Sequence, residues 1–411
     1  MNAAPPQRAQ SFAIEVSSRE AAVAEAWAEL EPHGAPFQRR AWVLPWRRVL
    51  APAFAATPLN VTIRDAQDAR PLMFLPLCRR RRWGLTILAF PDRGVSDYNA
   101  PLLAPDFDDM VPPREFAALW RAVVTLISDH RQLRCDFVVL ERMPERIGRQ
   151  GNPFLALGVT VNPTGAHHMT MRGPWQQFYR DKRSSATRRH DRSKRKHLGE
   201  YGEVRFVSAG TPCEARATLD ALFAQKQASF AARGVPDFLA RGGTREFFKA
   251  MASDPSLAGV VHVSRLAAGE TTVAANLGMV FRGRYYHVLA SYQAGEIARF
   301  GPGTAHLHDL MDYALQRGCS EFDFTIGDES YKRDWCDVAE RLVDFRAALT
   351  AQGAVAVRAT AAAIGAKRLI KHSPTLWAAF SRSRRWLSYF SGRTRPPAIV
   401  ADDAAAEVSG K

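Results

Sequence analysis

The residues best suited to chemistry in this 411-residue chain fall in one stretch, 284–335. Its centre is Arg299-Phe300-Gly301-Pro302-Gly303-Thr304, a glycine loop between a strand-like run over 284–292 and a helical pattern. The pattern places Leu307, Leu310, Met311, Ala314 and Leu315 on one apolar stripe, and Gly318 stops it. A loop that feeds a helix start gathers free N–H groups at the positive end of the helix dipole, which suits a phosphate. Beyond the helix, Phe322, Phe324 and Ile326 share one face of a strand, and Asp323 and Thr325 share the other. Asp323 thus stands near the C-terminal end of a strand beside the loop, where ligands of α/β sheets collect. His287 alternates with Tyr286 and Val288 on the preceding strand. Asp328, Glu329, Tyr331, Lys332 and Trp335 follow within a few residues. Each has a bland alternative: Asp323 capping the next turn or pairing with Lys332, Tyr331 and Trp335 packing, His287 in a core or rim position.

The elements that must position these residues repeat along the chain. A helix is expected over 38–50, then strands over 59–64, 71–78 and 85–90. The loop PDRGVSDYNAPLLAPD, a helix over 113–130 and an apolar strand over 135–140 complete a first half. From 164 the chain carries a basic helical stretch over 175–197, a strand over 202–209 and helices over 214–232 and 244–252, with Thr244 as a natural cap. Strands over 260–266, 272–281 and 284–292 lead into the glycine loop, and a last strand covers 341–349. Both halves read three strands, loop, helix, strand, with a period of roughly 190 residues. Only the second carries a glycine loop. The expected divisions are an N-terminal segment (1–35), a first half (36–163), a second half (164–350) and a basic tail (351–411).

Composition narrows the function classes. A hydrophobic content of 46% with 24% charged residues reads as a soluble globular protein. No run of about 18 apolar residues exists, and the N-terminus lacks a signal-peptide core, so a cytoplasmic location is expected. Five scattered cysteines without CxxC suit a reducing compartment and give no zinc site, so no metal is expected. The net charge of +15 sits in two segments. Residues 180–197 hold nine Lys/Arg against two Asp, and residues 345–401 hold ten Lys/Arg and no acid. The first segment has no interleaved aromatics beyond Tyr179, so nucleic-acid base stacking is not supported. A solvated helix face, contact with an anionic acceptor such as a sugar phosphate or lipid pyrophosphate, and RNA remain as readings of it. In the tail, Trp377, Phe380, Trp386, Leu387 and Phe390 lie among Arg382, Arg384 and Arg385. That pattern suits a helix on an anionic membrane surface, or packing back on the enzyme.

The element order resembles the GNAT acyltransferase fold, whose Arg/Gln-x-x-Gly-x-Gly/Ala loop is matched here one residue shorter by Arg299, Gly301 and Gly303. The ending FDFTIGDESYKRDW resembles CelD-type acyltransferases associated with cellulose biosynthesis. The duplicated layout and the run TRRHDRSKRKHLGEYG resemble FemAB-type transferases, built from two GNAT-like halves. The resemblance covers about 37–349. It implies an α/β fold with a mixed α+β sheet, two GNAT-like halves in tandem and a basic helical tail. Acyl-CoA would lie between two splayed strands, its phosphates on Arg299, Gly301, Gly303, Thr304 and Lys332. Asp323 would aid deprotonation of an acceptor amine, because only the free amine attacks a thioester, and Tyr331 would protonate the leaving thiolate. His287, Asp328 and Glu329 would contact an acceptor on a sugar, polysaccharide or envelope precursor. The alternatives are a FemAB-like transferase using aminoacyl-tRNA and a non-catalytic module of polysaccharide biosynthesis at a membrane surface.

Overall fold

In a computed structural model, which describes residues 7–9, 11–327 and 329–372, two mixed sheets each collect helices on their faces. Asp328 and the aromatic-basic tail segment around Trp377 and Phe390 lie outside the described residues. Ten strands come before residue 164 among the described residues: β1 (Gln7–Ala9), β2 (Phe12–Ser17), β3 (Thr57–Asp65), β4 (Pro71–Arg82), β5 (Leu85–Ala89), β6 (Leu102–Leu103), β7 (Phe137–Pro144), the two-residue hairpin partners β8 (Arg146–Ile147) and β9 (Gln150–Gly151), and β10 (Thr160–Val161). The first sheet runs β1-β2-β3-β4-β5-β7, then Leu342–Ala348 from the far end of the chain, then β10. The run PLMFLPLC in β4 is buried throughout, as expected of a strand covered on both faces.

Helices α1 (Glu20–Leu30), α2 (Arg40–Pro45), α3 (Phe107–Met110) and α4 (Pro113–Asp129) belong to this half. Phe116, Leu119, Trp120, Val123 and Ile127 form the buried stripe of α4. Within the expected 1–35 segment, β2 pairs with β3, and Trp27 of α1 packs on Phe74 with ring centroids 4.9 Å apart. The helix expected over 38–50 is α2 followed by a π turn over Trp46–Leu50, just after Pro45. This region pins the loop 91–101. Trp42 Nε1 donates to Ser96 Oγ (3.0 Å), Trp46 Nε1 to Asp92 O (3.0 Å), and Gln38 Nε2 to Tyr98 O (2.8 Å).

The second sheet uses β11 (Ala166–Thr170), β12 (Val204–Ser208), β13 (Val261–Ala268), β14 (Thr271–Phe281), β15 (Arg284–Tyr292), β16 (Glu321–Ile326) and β17 (Val338–Glu340), in the order β12-β13-β14-β15-β16-β11-β17. Its helices are α5 (Trp175–Lys182), α6 (Ser185–Leu198), α7 (Pro212–Arg233), α8 (Thr244–Ser253), α9 (Pro302–Gln316) and α10 (Ser330–Arg333). The basic stretch is two helices rather than one, because Ser184 caps α6 by accepting from Thr187 N. The cap of α8 is Gly243, at φ 81°, and Thr244 is the buried first residue of the helix.

The repeat expected from the sequence is present in both sheets. In each, three antiparallel strands lead to a parallel pair, β5 with β7 and β15 with β16. The closing strand departs from expectation. Leu342–Ala348, now β18, pairs with β7 and β10 in the first sheet instead of ending the second. The physical reason is side-chain content. Leu342, Val343 and Phe345 bury against the first core, and the Asp344 carboxylate accepts from Arg142 N (2.9 Å) and Asn162 Nδ2 (2.8 Å). Helix α11 (Ala351–His372) follows. No helix among the described residues is long and apolar enough to cross a membrane.

Two substitutions test these joints. Phe345→Ala should cost about 3–5 kcal/mol in urea unfolding, the usual loss for a buried Phe. Tyr98→Phe removes the hydroxyl that binds Asp323 across the halves (2.7 Å). It should lower stability by about 1–3 kcal/mol, whereas an unchanged midpoint would mean that the bond contributes nothing.

Candidate functional site

The parallel pair β15/β16 holds register through Arg284↔Glu321, Tyr285↔Phe322 and Tyr286↔Asp323, and then the strands part. On its other edge β16 stays paired with β11 throughout, from Thr170↔Glu321 to Ala166↔Ile326, so only the β15 edge opens. Thr325 sits at φ 58°, and its hydroxyl donates to His287 O (3.2 Å) across the parting strands. A gap between strands that were paired is a place for an extended ligand arm.

The glycine loop stands beside this gap. A short 3₁₀ turn, Glu296–Phe300, leads to Gly301 at φ 60°, a left-handed conformation that glycine adopts at little cost. Pro302 opens α9, and Ala305 N closes onto Gly301 O (3.0 Å). The N–H groups of Gly303 and Thr304 fall before the first intrahelical bond. Gly303 is constrained by packing, since a Cβ there would lie 3.2 Å from Tyr292 Cδ1. Arg299 is exposed and lies over the Phe300 ring (4.7 Å to centroid), outside the cavity at the loop.

That cavity measures about 270 Å³. Gly301 and Thr304 form one wall, Arg192, Lys194 and Arg195 of α6 another, and Trp175 and Tyr179 of α5 a third; Asp191, Asp309 and Asp312 line it as well, so acids and bases are balanced in number. The basic run of the sequence is therefore brought to the glycine loop. Arg195 anchors α6 to α9 through both carboxylate oxygens of Asp309 (3.0 Å each). Trp175 and Tyr179 stack on each other, with centroids 5.0 Å apart at 12°. None of these α5 and α6 side chains was singled out as a ligand from the sequence, although the charge run marked their helix.

Asp323 is fully buried. Its Oδ1 accepts from Tyr98 Oη (2.7 Å) and Thr325 N (2.7 Å), and its Oδ2 from Arg284 (3.1 Å). A carboxylate with three donors, one of them a guanidinium, is an anchor rather than a free proton acceptor, and Lys332 is not among its partners. Lys332 is buried too. Its Nζ donates to Ile326 O (2.8 Å) and pairs with Glu329 (2.9 Å). Tyr331 packs edge-on against Phe324 (6.1 Å), partly exposed. Burial, then the charge of Glu329, pushes its phenol up, so it stays protonated at neutral pH. His287 is buried near Phe322 and Phe324. Burial, then the charge of Lys332, pushes its imidazole down to about 3, so it is neutral.

Asp97 was not singled out from the sequence. It comes from the first half, on the pinned loop 91–101, next to Tyr98, which reaches Asp323. Its Oδ2 is buried with no hydrogen-bond partner among the described residues. Burial pushes its carboxyl up to about 7, against the lowering effects of Thr325 and Lys332. Asp97, Thr325, His287 and Lys332 thus meet at the parting strands. Among the described residues no group of three or more His, Cys, Asp or Glu is placed to hold a metal ion.

Residues 185–333 match the family model described as an acetyltransferase (GNAT) domain, from the start of α6 to the end of α10. No curated protein sequence matches the chain. Among solved structures, FemX aligns with a TM-score of 0.53 at 10% identity, over 78% of this chain and 95% of that one. L-PGS from Bacillus licheniformis aligns at 0.46 and 13% identity, over 85% and 97%. A tandem GNAT protein from the clavulanic acid biosynthesis pathway aligns at 0.45 and 11% identity, over 82% and 99%. The likeness to FemX concerns the fold over most of both chains. The chain thus shares its fold with FemX, and residues 185–333 of its second half match a GNAT acetyltransferase domain.

Proposed function

We propose that the chain is an acyl-CoA-dependent acyltransferase whose donor lies in the second half and whose acceptor enters between the halves. One observation carries this reading: a parallel strand pair that parts and is followed by a left-handed glycine at a helix start, with Arg192 and Lys194 in the cavity at that loop. The diphosphate of a CoA thioester suits the free N–H groups of Gly303 and Thr304 together with Arg192 and Lys194. Bound there, acyl-CoA supplies an activated carbonyl. The protein's task is to hold an acceptor amine or hydroxyl against that carbonyl and to move one proton.

Asp97 is the group suited to take that proton. It has a free oxygen, a raised carboxyl and a place at the parting strands. Asp323 holds Tyr98, and through it the loop carrying Asp97, in position. Tyr331, protonated at neutral pH, is suited to return a proton to the departing thiolate. A sugar, polysaccharide or envelope precursor as acceptor is the class suggested by the CelD-like ending. A cytoplasmic enzyme held by its basic tail at an anionic membrane surface is consistent with such an acceptor. The second reading, an aminoacyl-tRNA donor, is favoured by the solvent-facing Arg189 and Lys196 on α6.

Native mass spectrometry of the full chain with a panel of acyl-CoAs and with charged tRNA separates the two donors. Replacing Gly301 with Val should weaken acyl-CoA binding by at least about tenfold, since a β-branched residue resists φ near +60°. Exclusive retention of charged tRNA would overturn the CoA reading. Asp97→Asn should lower kcat by roughly 10²–10⁴-fold and remove the rise in rate with pH centred near 7. The stability effect has a defined sign. A carboxyl raised in the folded state stabilises it below the unfolded pKa and loses that contribution as pH rises through about 7. The Asn variant should therefore be the more stable protein above pH 7, as thermal unfolding at pH 6 and 8.5 would reveal.

A further inference from the structure

The first half has its own parting strands. β5 and β7 pair in parallel through Ile87↔Phe137 and Ala89↔Val139, and a cavity of about 540 Å³ opens beside Ala89, Phe90 and Val139. Its position corresponds to the donor gap of the second half, and its volume is in the range of small-molecule sites. It has no glycine loop. Its walls carry six arginines: Arg80 and Arg82 from β4, Arg93 from the loop 91–101, Arg142 from β7, Arg241 from the segment before α8, and Arg346 from β18.

Three carboxylates line the same cavity, and two of the arginines engage all three. Arg142 pairs with Asp92, and Arg346 with Glu141 (2.6 Å) and Asp344 (3.0 Å). Arg80, Arg82, Arg93 and Arg241 make no ion pair among the described residues. Arg93 lies over the Phe54 ring (4.0 Å), its Nε buried without an acceptor. Burial, then the charges of Arg80, Arg241 and Arg82, pushes its guanidinium down, a sign of like charges held together. Self-repulsion of this kind destabilises the empty cavity and is relieved by an anion. Guanidinium forks match phosphate oxygens in pairs, and several forks at one cavity suit a group with several such oxygens. The loop that contributes Asp92, Arg93, Gly94 and Asn99 to the cavity also carries Asp97 and Tyr98 to the parting strands of the second half.

We propose that this cavity binds the phosphate group of a phosphorylated small molecule, which, on the acyl-transfer reading above, is the acceptor. The loop 91–101 would then hold the anchored end on one side and present Asp97 on the other.

The test is calorimetric titration and thermal unfolding of the full chain at low salt with inorganic pyrophosphate and, separately, with glucose 1-phosphate. Saturable binding and a raised Tm with either probe are expected, and the two arms tell a bare diphosphate from a sugar phosphate. Arg80→Gln with Arg241→Gln should weaken that binding by at least about tenfold, given the usual worth of charged hydrogen bonds. The same pair should raise the Tm of the ligand-free protein. Arg192→Gln with Lys194→Gln, at the glycine loop, should leave glucose 1-phosphate binding in place and remove only pyrophosphate held at the donor loop. If the double arginine variant unfolds, Arg82→Gln, on a side chain resting over exposed Trp83, decides by the same loss. Glucose 1-phosphate binding that survives these substitutions but disappears in the α6 variant would overturn the proposal, as would no saturable binding of either probe. Acyl-CoA binding is measured in parallel: its absence from the unmodified chain, with phosphate binding intact, would sink the donor assignment alone.

Discussion

A carboxylate with no exposed surface must find charge or hydrogen bonds inside the protein, and the fold answers that demand at Asp323 with groups from three places. Arg284 comes from the neighbouring strand, Thr325 N from its own strand, and Tyr98 from the other half of the molecule. The strands part immediately after this point. The carboxylate therefore acts as the pin at the root of the split: below it β15 and β16 are paired, and above it they diverge. Because Tyr98 is one of the donors, the same pin fixes the first-half loop over the second-half gap. Removing charge here would strip the buried Tyr98 hydroxyl of its carboxylate and leave Arg284 with Glu321 alone, so geometry and electrostatics are tied to one residue.

The two halves spend the same architecture differently. Each ends its antiparallel strands in a parallel pair that opens toward a cavity. The second half lines its opening with a helix start and a glycine, chemistry that relies on backbone N–H groups. The first half lines its opening with guanidiniums, which rely on side chains and can be placed without a special backbone. The difference thus lies in the lining and not in the strand layout, which is the same in both halves. It also explains why the loop 91–101 needs so many tethers. It has no helix start to stiffen it, and tryptophan and glutamine hydrogen bonds from the α2 region hold it instead.

Much of this was legible in the sequence wherever the signal is local. The stripe of α9, the three hairpin-linked strands β13–β15 and the glycine loop follow from periodicity and turn residues close in the chain. What could not be read depends on distant neighbours. Asp323 looks like a free carboxylate until Tyr98 and Arg284 are seen to claim its oxygens. Asp97 looks like a turn residue in PDRGVSDYNAPL, and only the fold brings Thr325 and Lys332, more than two hundred residues on, to its carboxyl. β11 reads AHHMT, too short and polar to announce a strand, and is one because β16 and β17 offer it two edges. The partner of β18 is likewise a matter of tertiary fit, since an apolar strand carries no address for one sheet over another.

The placement of β18 has a consequence for biogenesis. The first sheet is laid down early, and β7 leaves the ribosome with one edge lacking its long partner. That partner, which pairs Phe345 with Leu140, is synthesised roughly 200 residues later, or about 10–40 s at ordinary elongation rates. During that interval the nascent chain exposes an apolar strand edge, the kind of surface that recruits other strands. A chain built this way cannot be cut into autonomous pieces at its midpoint, because β7 takes its long partner from the far end. Its halves resemble two domains in space, yet in time they finish folding together.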